Sequence, residues 1–386
     1  MEKPLKSTIS QTRVANSQIA CRVIVSVNAK STGKSSEFSQ KFSSRQDWAT
    51  KTGNLLKRYK FNGTGNWSDA DDMKASPDSL VYTRGFNFMA GYGKVRGGTY
   101  QQPGHTGYPN DLIFVFDPEF EKYCDSEAQK VANYKDERML LGYFSDNEMP
   151  FPADALDRYL SLPTNDVGHI TAVNWLKQIK SGDTLKQNIN DNDRQNFLGF
   201  MSAKYFSVVS SALKKYDPHH MYLGCRFHGK TLKQKPVFES FGKYADIISV
   251  NYYDVWTPKI NDMVKWSEWA TKPIMITEFY VKGDDAGMKN ASGAGWIVHS
   301  QKERGYFYQN YALALLESKV CVGWHWFKYQ DNDPDDAKSD PSNKDSNKGI
   351  VNNHYLPYTE MLEQMSEVNK RLYSLADYFD GLQEKK

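Results

Sequence analysis

The chain is poor in cysteine, and no two of its cysteines stand at C-x-x-C spacing. Cys21, Cys124, Cys225 and Cys321 are scattered along 386 residues, which argues against metal or redox chemistry; Cys225 and Cys321 read as small apolar residues on strands. No stretch approaches the roughly 18 apolar residues of a membrane span. The N-terminus lacks the apolar core of a signal peptide. The expectation is therefore a protein without a membrane span, cytoplasmic unless the chain is a mature or shortened form of a periplasmic or secreted one. No block of Lys and Arg stands out and the net charge is only +3, so nucleic acid is not an expected partner. No G-x-G-x-x-G follows the first candidate strand, which counts against a dinucleotide fold. Internal repeats, low-complexity tails and a linker that would split the chain are also missing.

What is present is aromatic. Phe, Trp and Tyr make up 14% of the chain, with nine Trp and 24 Tyr. Some serve the core; others suit flat sugar faces, because an aromatic ring joins apolar area to a polar edge. Strand-like apolar runs at 22–28, 61–67, 82–89, 113–116, 140–145, 221–227, 247–252, 274–277 and 320–326 alternate with helical patterns. Several are continuously apolar, as strands buried on both faces are. The segment 193–216 carries Phe197, Met201, Tyr205, Val208, Val209, Ala212 and Tyr216 on one helical face, and Asp217-Pro218 stops it. Helices are also predicted at 46–59, 301–318 and 355–379. This alternation predicts an α/β fold, a (β/α)8 TIM barrel forming a single domain over 21–386 after an extension at 1–20. The runs exceed eight by one, so 82–89 and 113–116 are expected to share the third strand. Long βα loops at 91–110, 150–190 and 330–352 are expected to rim the site.

Two glutamates close apolar runs at strand ends. Glu148 follows Leu-Leu-Gly-Tyr-Phe-Ser-Asp-Asn, and Glu278 follows Pro-Ile-Met-Ile-Thr. The C-terminal tips of parallel strands are where α/β barrels build active sites. Two carboxylates there, on strands four and seven, suit glycosidic cleavage, which needs one acid and one nucleophile or base. The acid needs a pKa raised by burial or by its partner's charge. In Ser-Val-Asn-Tyr-Tyr-Asp (249–254), a tyrosine is placed to donate a hydrogen bond to the nucleophile; Tyr253 is the first choice and Tyr252 the second. Trp324 and Trp326 share one side of the last strand by period two, and either can floor the sugar site, Trp326 the better placed. Asn66, Trp67, Asp69 and His228 lie at strand ends and can bind hydroxyls. His228 and His325 lack nearby metal-ligand partners in sequence, so neither a metal nor a cofactor is expected. Asp331, Asp333, Asp335 and Asp336 lack the Gly and distal Glu of an EF-hand and read as a solvated acidic loop.

With these residues in view, the chain resembles the β-agarases of glycoside hydrolase family 50, within clan A of the retaining (β/α)8 glycosidases. The resemblance runs over about 48–375. It is carried by Phe-Asn-Gly-Thr-Gly-Asn-Trp-Ser-Asp (61–69), Gly-Tyr-Phe-Ser-Asp-Asn-Glu (142–148), Ile-Thr-Glu-Phe (276–279) and Gly-Trp-His-Trp-Phe (323–327). It implies retaining hydrolysis of β-1,4-galactosidic bonds in agarose or a related red-algal galactan, with Glu148 as acid/base and Glu278 as nucleophile. It also implies that Asn147 holds the 2-hydroxyl beside the scissile bond. Residues 1–47 lie outside it. Two other readings fit the same residues: a carbohydrate-binding relative without turnover, and a β-galactosidase or β-mannanase of the same clan.

Overall fold

Eight parallel strands form one curled sheet in the computed structural model, which describes residues 23–31, 35–74, 80–181, 186–336 and 339–382. In chain order they are β1 (Ile24–Val27), β2 (Gly63–Thr64), β3 (Val81–Gly85), β4 (Leu140–Phe144), β5 (Met221–Tyr222), β6 (Ile248–Asn251), β7 (Ile274–Phe279) and β8 (Cys321–Trp326). Their spatial order is β5-β4-β3-β2-β1-β8-β7-β6. The expected first strand is present and paired on both sides, Ile24 beside Gly323 and Ser26 beside Gly63. Between the outer strands β5 and β6 the ladder thins to a single bridge, Phe227 to Val250. There Phe227 N donates to Ser249 O at 2.8 Å, and Asn251 N to Phe227 O at 2.9 Å. The sheet is thus TIM-like, with a thin seam in place of a full eighth pairing. Close packing at β4 and β5 requires Gly142, because a Cβ there would lie 2.1 Å from Met221 O.

The helix layer follows the periodicity. Helix Asp191–Tyr216 opens with a capping box in which Asn190 and Asp193 satisfy each other's backbone amides. It buries Phe197, Met201, Tyr205, Val208, Val209 and Ala212 and ends before Pro218. Helices Arg45–Arg58 and Gln301–Glu317 match their predicted spans closely.

Four expectations need correction. The third strand is Val81–Gly85 alone; the chain then turns at Asn87 into helix Phe88–Arg96. Residues 113–116 form no strand, although Ile113 and Val115 are buried, because Asp117 caps the helix Pro118–Ala128 directly after them. The closing helix breaks in two, Thr359–Asn369 and Leu372–Gly381. The loop at 150–190 folds into helices Ala155–Tyr159 and Val167–Ile179. The expected extension at 1–20 lies outside the described residues. Among the described residues, no helix is long and apolar enough to cross a membrane.

Candidate active site

Glu278 lies near the C-terminal end of β7, and Glu148 just beyond the end of β4. Three side chains converge on Glu278. Arg226 Nη2 and Trp67 Nε1 donate to Oε1, the latter at 3.1 Å, and Tyr253 Oη donates to Oε2 at 2.5 Å. With donors on both oxygens, the plane of the carboxylate is fixed. Arg226 is fully buried and also donates to Thr277 O at 3.1 Å and to Asn251 Oδ1 at 3.3 Å.

Glu148 has a different environment. Its Oε1 accepts from Asn251 Nδ2 at 2.7 Å, and its Oε2 lies 3.7 Å from His105 Nδ1. Burial, followed by the charge of Glu278, pushes its pKa above the usual carboxylate range; His228, Asn251 and Arg226 pull the other way. Asn251 therefore stands between the pair, donating to Glu148 and accepting from Arg226 and from Thr277 Oγ1 at 2.8 Å. The two carboxyl groups are chemically unequal: one keeps its proton to higher pH, the other is held by three donors. Such a pair can donate a proton and attack an electrophile within one cleft.

The backbone around them is unusual. Trp67 (φ 63°), Glu148 (φ 51°), Arg226 (φ 56°) and Asp254 (φ 61°) all adopt the left-handed region without being glycine. That conformation is uncommon for such residues and concentrates at functional sites. All four residues lie just past the C-terminal ends of strands.

A cavity of about 760 Å³ holds Glu148, Glu278, Trp67, His228 and Tyr253 together with His105, Tyr280 and Phe327. His228 is oriented by its Nδ1, 3.1 Å from Asn251 O. The hairpin Tyr100–Gln102 and His105–Gly107 brings Gly104 and His105 to the wall, and Gly104 (φ 85°) makes its tight tip. The loop at 330–352 also lines the cavity through Asn332, Ser342, Asn343 and Lys348, as its length suggested, and Ser342 lies beside the hairpin tip at Gly104. Among the described residues of 150–190, none lines this cavity.

Other candidates fall elsewhere. Asn147 lines a neighbouring 610 Å³ cavity that shares Trp67, Gly104 and His105 with the first. Its Oδ1 accepts from Asn251 at 3.3 Å. Asn66 and Asp69 line a third pocket; Asp69 is engaged by Arg45 at 2.6 Å and by Ser31 N at 3.1 Å, contacts that hold a loop. Tyr252 packs against Trp266 and takes no part. Trp324 and Trp326 do not floor the cleft. Both are fully buried toward the helix layer, where Trp324 Nε1 donates to Tyr308 Oη at 2.9 Å and the Trp326 ring meets Phe279 and Tyr308. By alternation the residues on the other face are His325, deep in the sheet interior, and Phe327 at the cavity wall. Asp331 is not solvated either: it is buried and accepts from the amides of Lys348 and Gly349 at 2.7 and 2.6 Å.

Arg226, Asn251 and His105 were not singled out from sequence. A lone arginine in the apolar run Met-Tyr-Leu-Gly-Cys-Arg-Phe was the available signal for the first, since an unpaired charge is not buried without cause. Among the described residues, no group of three or more His, Cys, Asp or Glu side chains is placed to hold a metal ion.

Fold and sequence are similar to those of agarase-like glycoside hydrolases. The chain is 27% identical over 369 residues to beta-agarase B of Vibrio sp. (strain JT0107), covering 85% of this chain and 36% of that protein. It is equally identical to beta-agarase A of the same strain over 372 residues. The chain thus spans about a third of the length of these curated relatives, 36% of each. The crystal structure of BpGH50 is 28% identical with a TM-score of 0.80, covering 98% of this chain and 90% of that one. An exo-beta-agarase structure, at 24% identity and a TM-score of 0.68 over 85% of this chain and 47% of that one, speaks for the fold alone. No protein-family model matches the chain.

Proposed function

We propose that this protein hydrolyses β-1,4-galactosidic bonds of agarose or a related galactan by double displacement. The observation that carries the reading is the inequality of the two carboxyl groups. Glu148, largely shielded from solvent and raised in pKa, is the acid/base. Glu278, oriented by Arg226, Trp67 and Tyr253, is the nucleophile.

In the first step Glu148 gives its proton to the glycosidic oxygen as Glu278 attacks the anomeric carbon. The C–O bond to the leaving sugar breaks and a glycosyl ester of Glu278 forms. In the second step the Glu148 carboxylate takes a proton from water, whose oxygen displaces Glu278 from the same carbon. Two inversions give net retention. Tyr253 holds one oxygen of the nucleophile throughout the approach. We read the curled sheet as a (β/α)8 barrel whose β5–β6 seam is closed by the Phe227 bridge, and Asn147 as a hydroxyl ligand at the junction of the two cavities.

The test is agarose oligosaccharide cleavage by the wild type beside Glu148→Gln and Glu278→Gln, with the anomer of the first product followed by NMR. Loss of cleavage in both variants and a retained anomer are expected. Cleavage that survives either substitution unchanged overturns the assignment. A strong preference for short β-galactosides or β-mannans over agarose oligosaccharides would move the substrate within the same chemistry.

A further inference from the structure

Lys348 plays no part in the mechanism above, yet it lines the same cavity as Glu278. Its side chain is fully buried, and its Nζ has no hydrogen-bond partner among the described residues. That amine lies 4.5 Å from the ring centre of Phe327 and 5.6 Å from that of Tyr280, two aromatic side chains of the cavity wall. Its backbone is pinned at both the amide and the carbonyl. Lys348 N donates to Asp331 Oδ1 at 2.7 Å, and Lys348 O accepts from Trp326 Nε1 at 2.9 Å and from Lys328 N at 3.2 Å. Lys328 is a second buried lysine on this wall, its Nζ donating to Asn332 Oδ1. Lys30 is exposed at the cavity edge.

A buried cation without a partner is unfavourable and a second cation nearby makes it more so; burial and Lys328 accordingly hold the Lys348 amine well below the usual lysine range, and an anion beside it favours the charged form. The carboxylates near this wall have other engagements. Asp331 accepts from the amides of Lys348 and Gly349, from Asn347 and from Tyr358. Asp340 accepts from Ser342 N at 2.9 Å, and Glu278 is held by its three donors. Asp336 and Asp340 also line the cavity and bias it against anions at that edge, which leaves the Lys348 corner between Phe327 and Tyr280 as the favourable one. A lysine acts as a point charge and takes an oxyanion without the paired geometry that arginine demands. The aromatic neighbours offer a face on which a sugar ring can stack while its substituent reaches the amine.

We infer that Lys348, supported by Lys328, forms a subsite for a galactan ring that carries an oxyanion, either a sulfate ester or a carboxylate. This rests on the proposed function only for the identity of the sugar chain. The experiment is calorimetry on the full chain with three galactan oligosaccharides of equal length: neutral, sulfated, and carboxylate-bearing. Each is titrated into wild type, Lys348→Met, Lys348→Arg and Lys328→Met, with cleavage of the same oligosaccharides measured in parallel. At least tenfold tighter binding of one anionic oligosaccharide than of the neutral one is expected in wild type. Lys348→Met should erase that preference, leave neutral binding within about twofold, and be partly rescued in Lys348→Arg. Whichever anionic arm shows the preference identifies the substituent. Equal affinity for all three in wild type, or equal loss for all three in Lys348→Met, overturns the subsite. If Lys348→Met does not fold, the wild-type preference and the Lys328→Met titration still decide. Anion preference without cleavage of any oligosaccharide refutes the hydrolase and upholds the subsite; cleavage without anion preference does the reverse.

Discussion

Replacing Arg226 with methionine tests the central electrostatic feature of the site. Arg226 is fully buried and Glu278 is 6% exposed, so solvent does little to screen either charge. Methionine fills much of the arginine's volume but donates nothing to Glu278, Thr277 O or Asn251. Breaking a buried ion pair by removing one partner costs about 3–5 kcal/mol, because the other charge stays buried without compensation. Trp67 and Tyr253 still donate to Glu278, so the lower end, about 3 kcal/mol, is expected. Lost orientation of the nucleophile has a separate effect: a charge-assisted hydrogen bond is worth about 1.5–3 kcal/mol, or roughly ten- to a hundredfold in kcat. Urea unfolding at neutral pH measures the first and agarose oligosaccharide turnover the second. A double-mutant cycle with Glu278→Gln isolates the pair: the cost of Arg226→Met should largely vanish once Glu278 carries no charge. Unfolding within about 1 kcal/mol of wild type, or an unchanged cost in the Glu278→Gln background, refutes the argument.

Three further outcomes follow from the same geometry. Tyr253→Phe removes the hydrogen bond to Glu278 Oε2, the only one there among the described residues; kcat should fall about ten- to a hundredfold and unfolding free energy by about 1–3 kcal/mol, read by steady-state kinetics and urea melts. Glu148→Gln should gain stability relative to wild type as pH rises. The folded pKa of Glu148 is raised, so its ionisation costs stability from about pH 4.3, the ordinary glutamate value, upward through the raised folded value; thermal melts at pH 4 and pH 8 should show the difference only at the higher pH. Trp326→Phe should act on stability and not on substrate, costing about 1–3 kcal/mol through lost packing and the lost indole hydrogen bond to the Lys348 carbonyl, which keeps its bond from Lys328 N, while KM holds within about twofold.

Local pattern was enough for much of this. Apolar runs with helical segments between them marked strands β1, β4, β7 and β8, and those runs carry both glutamates to the C-terminal edge of the sheet. Tyr253 was legible because a tyrosine just past a strand end has few places to go. Residues 113–116 misled for the opposite reason: a buried apolar segment looks the same whether it pairs with neighbours or merely packs, and Asp117-Pro118 commits the chain to a helix before it can pair.

Other features depended on contacts that no local window contains. Period two places Trp324 and Trp326 on one side of β8 but does not say which side meets the helices; packing against Phe279 and Tyr308 decides it. Arg226 enters the site because the chain past β5 leaves regular strand geometry, with Gly224 at φ 79° and Arg226 at φ 56°. His105 arrives on a hairpin from the region between β3 and β4. The three donors to Glu278 lie 211, 52 and 25 residues away in sequence. By itself, then, the sequence determined the kinds of elements and the presence of two carboxyl groups at strand ends, since period and composition are local. Only the tertiary structure decided that the two groups differ, because burial and hydrogen-bond donors come from distant strands brought together by the curl of the sheet.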